Sequence, residues 1–130
     1  MFSKIKKSLG VLAFGATILA STSLVYAASG EYESTYNMTG GVYSKYFDVG
    51  SDPTFTVYVY PEIGVEGSNI SLYLERKTTF GHAGVDSGSV SSTVNDSEKL
   101  YGDNDAQYRI YYRNWTGHQM KGDTTIKWSY

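Results

Sequence analysis

An all-β fold, a single antiparallel β-sandwich of jelly-roll or immunoglobulin-like type, is what the sequence predicts, and three observations carry the prediction. Apolar residues recur at every second position along short segments, the period of a strand with one side buried. Those segments are rich in tyrosine and β-branched residues, which suit a pleated, half-buried surface. Clusters of Gly, Ser, Asp and Asn interrupt them every ten or so residues, as in sandwiches. No segment shows a sustained helical apolar stripe.

The first segment, 1–27, stands apart. "MFSKIKKSLGVLAFGATILASTSLVYA" has Lys4, Lys6 and Lys7, then an apolar run from Leu9 to Ala20, then Val25-Tyr26-Ala27. A basic start, a short apolar core and small residues at the cut describe a secretory signal peptide. Cleavage before Ala28 is expected. The core is shorter than the roughly 20 apolar residues that a membrane span needs, and Gly10, Gly15 and Thr17 interrupt it. A secreted product is expected, free in the medium or held at a cell wall by non-covalent contacts, with no membrane span after leader removal.

Residues 28–130 then form one domain, long enough to bury a core. A weak strand around "YESTYNM" comes first. "GVYSKYFDV" (41–49) sets Tyr43, Phe47 and Val49 against Ser44, Tyr46 and Asp48. "TFTVYVY" (54–60) sets Phe55, Val57 and Val59 inward, with Thr56, Tyr58 and Tyr60 outward. "NISLYLERK" (69–77) divides Ile70, Leu72 and Leu74 from Ser71, Tyr73 and Glu75. "SVSSTV" (89–94) buries Val90 and Val94. "AQYRIYYRNWTG" (106–117) buries Tyr108, Ile110 and Tyr112 and turns Arg109, Tyr111 and Arg113 to solvent. "TTIKWSY" closes the chain with Ile126 and Trp128 inward and Thr125, Lys127 and Ser129 outward. The last two strands are expected to pair, as consecutive strands usually do. "VGSDP", "PEIGVEGSN", "FGHAGVDSG", "YGDNDA" and "WTGHQMKGD" read as turns.

Composition narrows the function. There is no cysteine, so no disulfide supports the fold. Removing three leader lysines from eleven basic residues leaves eight against thirteen acids, a net charge of about −5. That balance argues against nucleic acid, whose affinity comes from phosphate neutralisation, and against an anionic membrane surface.

Catalysis is not expected. The two histidines, His82 and His118, sit in Gly-bearing turns, and no G-x-S-x-G elbow occurs. Asp103, Asn104 and Asp105 share one turn and could offer oxygens to calcium, while the spacing is not that of an EF-hand and the same residues serve any tight turn. Four N-x-S/T triplets, at Asn37, Asn69, Asn95 and Asn114, read as coincidence in an Asn/Ser/Thr-rich chain.

"SKYFDVGSDPTFTVYVYPEIGVEGSNISLYLER", followed later by "QYRIYYRNWTG" and "GDTTIKWSY", resembles the bacterial pre-peptidase C-terminal domain. The resemblance lies in a Y-x-F-x-V strand, a D-L-x-L-Y-L-type strand and an N-x-x-G turn before the last strand. It implies a secreted jelly-roll sandwich with relatives that bind calcium, matrix or insoluble substrate. Asn69 stands where that family often has an acid, which removes one carboxylate from any calcium site the resemblance would imply.

Outward aromatics are what remains to be explained. Tyr58, Tyr60, Tyr73, Arg109, Tyr111, Arg113 and Trp115 are the candidate ligand residues, since aromatic rings stack on sugar or peptide and Arg adds hydrogen bonds and cation–π contact. Cross-strand Tyr–Arg pairs that merely support the sheet are the plainer alternative. The expectation is a small secreted, non-catalytic binding module for an extracellular polysaccharide or protein polymer. The alternatives are an antimicrobial or antagonistic effector, or its immunity factor, and a self-associating surface or biofilm protein.

Overall fold

The computed structural model describes residues 28–130, so the predicted leader and its cleavage site lie outside the described residues. Among the described residues, period-two alternation resolves into nine strands: β1 (Ser29–Met38), β2 (Gly41–Tyr43), β3 (Phe47–Val49), β4 (Thr54–Ile63), β5 (Asn69–Thr78), β6 (Gly81–Ser91), β7 (Asp96–Tyr101), β8 (Ala106–Arg113) and β9 (Met120–Ser129). They form two antiparallel sheets. One has the order β1-β9-β4-β7; the other runs β2-β8-β5-β6, with β3 beside β2 on the same flank of β8. Taking β2 and β3 as one interrupted strand gives eight strands whose chain crosses between sheets at every connection except the β5–β6 hairpin. That is a jelly roll.

The inward parity of each sheet meets the other. Phe55, Val57 and Val59 of β4 and Ile126 of β9 face Ile70, Leu72 and Leu74 of β5 and Tyr108, Ile110 and Tyr112 of β8, all buried. Rings lock across the layers: Phe55 lies 5.6 Å from Tyr108, Phe47 lies 4.7 Å from Trp128, and Tyr36 stacks on Tyr112 at 6.2 Å. A polar link also crosses this core, with the Tyr112 hydroxyl 2.8 Å from Thr124 Oγ1, which donates to the Tyr58 carbonyl. Burial pushes the Tyr112 phenol well above its ordinary pKa.

Three expectations are corrected. The 41–49 segment is not one strand. Tyr43 pairs with Tyr111 but Phe47 pairs with Tyr108, so the link 44–46 contains one residue more than the two positions of β8 it spans. A single extra residue inverts side-chain parity, and Tyr43 therefore points out while Phe47 points in. Ser44 secures the slip by accepting the Ile110 N–H on its Oγ and donating its own N–H to the Ile110 carbonyl, both at 2.8 Å.

Second, "GHAGVDSG" is strand β6 rather than loop, and Val94 is 62% exposed in the β6–β7 turn. The hairpin turn is only Thr79-Phe80. Third, β8 and β9 do not pair; each lies in a different sheet, because jelly-roll connections cross the sandwich. In the Asp103-Asn104-Asp105 turn the first carboxylate already has protein partners. Arg76 Nη1 reaches both Asp103 carboxylate oxygens at 2.6 Å, and the Tyr108 hydroxyl lies 2.9 Å from Oδ1. Among the described residues no three His, Cys, Asp or Glu side chains converge as metal ligands.

Candidate ligand-binding face

Strand register alone builds the candidate site. Tyr43, Tyr111 and Tyr73 occupy directly opposed positions on β2, β8 and β5, all on the outer face of the second sheet. Tyr43 stacks on Tyr111 at 4.5 Å and Tyr73 lies 5.9 Å from Tyr111, giving a row of three rings across three strands. Gly41, opposite Arg113 and diagonal to Tyr111, leaves the space the Tyr111 ring fills; a Cβ there would collide with it.

The two flanking rungs carry guanidinium groups. Arg109 opposes Glu75, and its Nε donates to Glu75 Oε1 at 2.8 Å. The same guanidinium lies 3.9 Å above the Tyr43 ring and 5.2 Å from that of Tyr46. His82 on β6 closes the cluster, with Nδ1 3.2 Å from Arg109 Nη2 and Nε2 3.6 Å from Glu75 Oε1. Desolvation is the largest single influence on the Arg109 pKa and lowers it, but the Glu75 hydrogen bond and the charges of Glu75, Tyr46 and Tyr43 together outweigh it, so the net shift is upward and the cation stays fixed.

On the other flank Arg113 lies 4.3 Å over the Trp115 ring, and Trp115 Nε1 donates to Ser71 Oγ at 3.2 Å. Arg113 forms no salt bridge among the described residues, and its buried Nε has no hydrogen-bond partner. Trp115 is held at the rim by the turn beneath it. Buried Asn114 donates to the Met38 and His118 carbonyls and accepts from the Thr116 N–H and hydroxyl. Gly117 takes the positive φ of 77° that this N-x-x-G turn requires.

Five of the seven predicted residues, Tyr73, Arg109, Tyr111, Arg113 and Trp115, are thus brought together. Tyr58 and Tyr60 are not. They lie on β4, on the outer face of the opposite sheet, where Lys127 sits 5.3 Å from the Tyr58 ring and Tyr60 borders a shallow depression with Glu33, Thr35, Asp123 and Thr125. Sequence reasoning missed Tyr43, Tyr46, Glu75 and His82. Glu75 was within reach of it, since it shares the outward parity of Tyr73 and has charge opposite to Arg109. Tyr43 was not, because only the extra residue at 44–46 turns it outward.

No family model matches the chain, and no curated protein matches it. Two solved structures are similar in outline. A chain described under "Bacillus endospore appendages form a novel family of disulfide-linked pili" is 11% identical, with 88% of this chain and 97% of that chain covered at a TM-score of 0.48. A chain described as "Crystal structure of PirA" is 12% identical, with 81% and 94% covered at a TM-score of 0.43. What this chain binds has to be read from its own side chains.

Chemically the face is a flat aromatic strip with a fixed cation at each end. It offers ring surfaces for stacking, one neutralised and one unneutralised guanidinium, and the indole and hydroxyl groups at its rim. His82 has a carboxylate beside it, but among the described residues no hydroxyl or thiol is hydrogen-bonded to it as a nucleophile would be.

Proposed function

We propose that this chain is a secreted, non-catalytic module that holds an extracellular polymer, polysaccharide or protein, on the outer face of its β2-β8-β5-β6 sheet. The observation that carries the reading is the Tyr43–Tyr111–Tyr73 row between Arg109 and the Arg113–Trp115 pair. A flat row favours an extended ligand over a small one, since concave pockets are what enclose small molecules. Two of the three rings, Tyr111 and Tyr73, stand on central strands β8 and β5, so binding there would cost little ordering entropy. Exposure supports it too: Tyr43 and Trp115 remain 52% and 65% exposed.

Retention of the exported protein on whole cell walls, chitin, cellulose and collagen tests this. Replacing Tyr73 and Tyr111 together by Ala removes two rings from the row. Each truncated anchor should cost about 1–2 kcal/mol, which together is at least tenfold in retention. Retention equal to that of the unaltered protein on every polymer it binds would end this reading.

A second reading, self-association into a surface layer or matrix, is favoured by a different observation: the long outer edge of β1 has no covering strand among the described residues. Sedimentation as a function of concentration separates the two, since the first requires only a monomer.

A further inference from the structure

The four sheet edges are treated unequally. The edges of β6 and β7 meet along one side of the sandwich, where carboxylates close them: Asp96 accepts the Ser91 N–H, Glu98 the Ser89 N–H, and Asp86 the Tyr101 N–H. The β2/β3 edge consists of two three-residue pieces interrupted at 44–46. Short strands, irregularity and inward-turned charge are all devices that prevent edge pairing. β1 has none of them. It runs ten residues without Pro, Lys or bulge, in unbroken register with β9 from Ser29↔Ser129 to Met38↔Met120.

Which groups point outward follows from the ladder. Ala28 and Tyr130 exchange both backbone bonds, at 2.8 and 2.9 Å, so even-numbered residues bond to β9. Ser29, Glu31, Glu33, Thr35 and Asn37 therefore turn their N–H and C=O groups away from the sheet. Among the described residues these groups meet no other strand; only the Thr35 carbonyl has a contact, from Ser34 Oγ at 3.5 Å.

We propose that two copies of the chain pair through β1, antiparallel about Ser34, so that two four-stranded sheets become one of eight strands. This rests on the second reading above and adds its geometry. Charge selects the register. Outward residues face outward residues only if the two-fold passes through a residue rather than between two. About Ser34, Glu33 of one copy faces Thr35 of the other and Glu31 faces Asn37, so no carboxylate opposes another. About Glu33 the carboxylate would meet its own copy, a destabilising like-charge pair. About Thr35 the overlap shortens. The Ser34 register forms about eight backbone hydrogen bonds, two at each of its opposed outward pairs.

The absence of cysteine makes the test direct. Ser34 meets Ser34 in a non-hydrogen-bonded pair, where Cα atoms lie about 4.5 Å apart, within the span of a disulfide. Mild oxidation of exported Ser34→Cys should give a covalent dimer, while Glu31→Cys, far from its own copy in this register, should give none. Thr35→Pro deletes an outward N–H and leaves the β9 bonds intact; sedimentation should show a monomer with an unchanged β-sheet circular dichroism spectrum. Should proline disturb the fold, Thr35→Glu sets a carboxylate against Glu33 twice per dimer and should weaken association at least about tenfold. A dimer whose Ser34→Cys form does not crosslink overturns this register but not self-association. A monomer at every concentration reached overturns both, and leaves polymer binding to stand or fall on its own test.

Discussion

Asp103 shows how much one exposed side chain can settle. Its carboxyl is held down at about 2, first by the Arg76 guanidinium, then by the Asn104 N–H and the Tyr108 hydroxyl. Because Tyr108 is fully buried between the sheets, this ties the β7–β8 turn to the core. A carboxyl whose folded pKa lies below its unfolded value near 3.9 stabilises the fold above that value, and the contribution disappears as pH falls through about 2. Half exposure of the Asp103 side chain screens the pair and keeps the effect small. Asp103→Asn should therefore lower the melting temperature by a few degrees at pH 7, with the two curves converging near pH 2. A difference that persists undiminished at that pH would mean that the carboxylate charge is not what holds the turn. The sequence shows Asp103 in a turn but not its use, since Arg76 is 27 residues away and is brought close only by the β5–β8 register.

Strands were legible where their own side chains chose the buried face. β4, β5 and β8 alternate strongly, and every residue assigned inward on them is buried. The first part of β6 was not legible, because Gly81, His82, Gly84 and Gly88 have poor strand propensity and it is pairing with β5 that extends them. Nor was the crossing of β8 to β9, which depends on which sheet each strand joins rather than on either strand's pattern. β6 and β7 owe their quiet edge to side chains instead. Replacing Asp86, Asp96 and Glu98 together by Ala would free the Ser89, Ser91 and Tyr101 N–H groups. Each lost hydrogen bond should cost about 1 kcal/mol or less at this partly exposed seam. Combined with Thr35→Pro to silence β1, the triple variant should form new oligomers visible by light scattering. If it stays monomeric on that background, the carboxylates are not guarding the edge.

At the scale of the molecule the two proposed surfaces become one design. A two-fold axis perpendicular to the β1-β9-β4-β7 sheet leaves the stacking direction of each sandwich unchanged. Both copies of the Tyr43–Tyr111–Tyr73 row then face the same side of the eight-stranded sheet, while Tyr58 and Tyr60 of both face the other. Two like platforms on one side can engage a single repeating polymer, and the second contact forms at the high effective concentration of a tethered site. Such bivalence multiplies affinity by roughly 10²–10⁴ without any new interaction. Thr35→Pro should consequently bind a long polymer about a hundredfold more weakly than the unaltered dimer, although every platform side chain is intact. For an oligomer too short to bridge two platforms, the two proteins should bind equally. Equal binding of the long polymer as well would show that the platforms do not act as a pair, and would separate what β1 does from what the tyrosine row does.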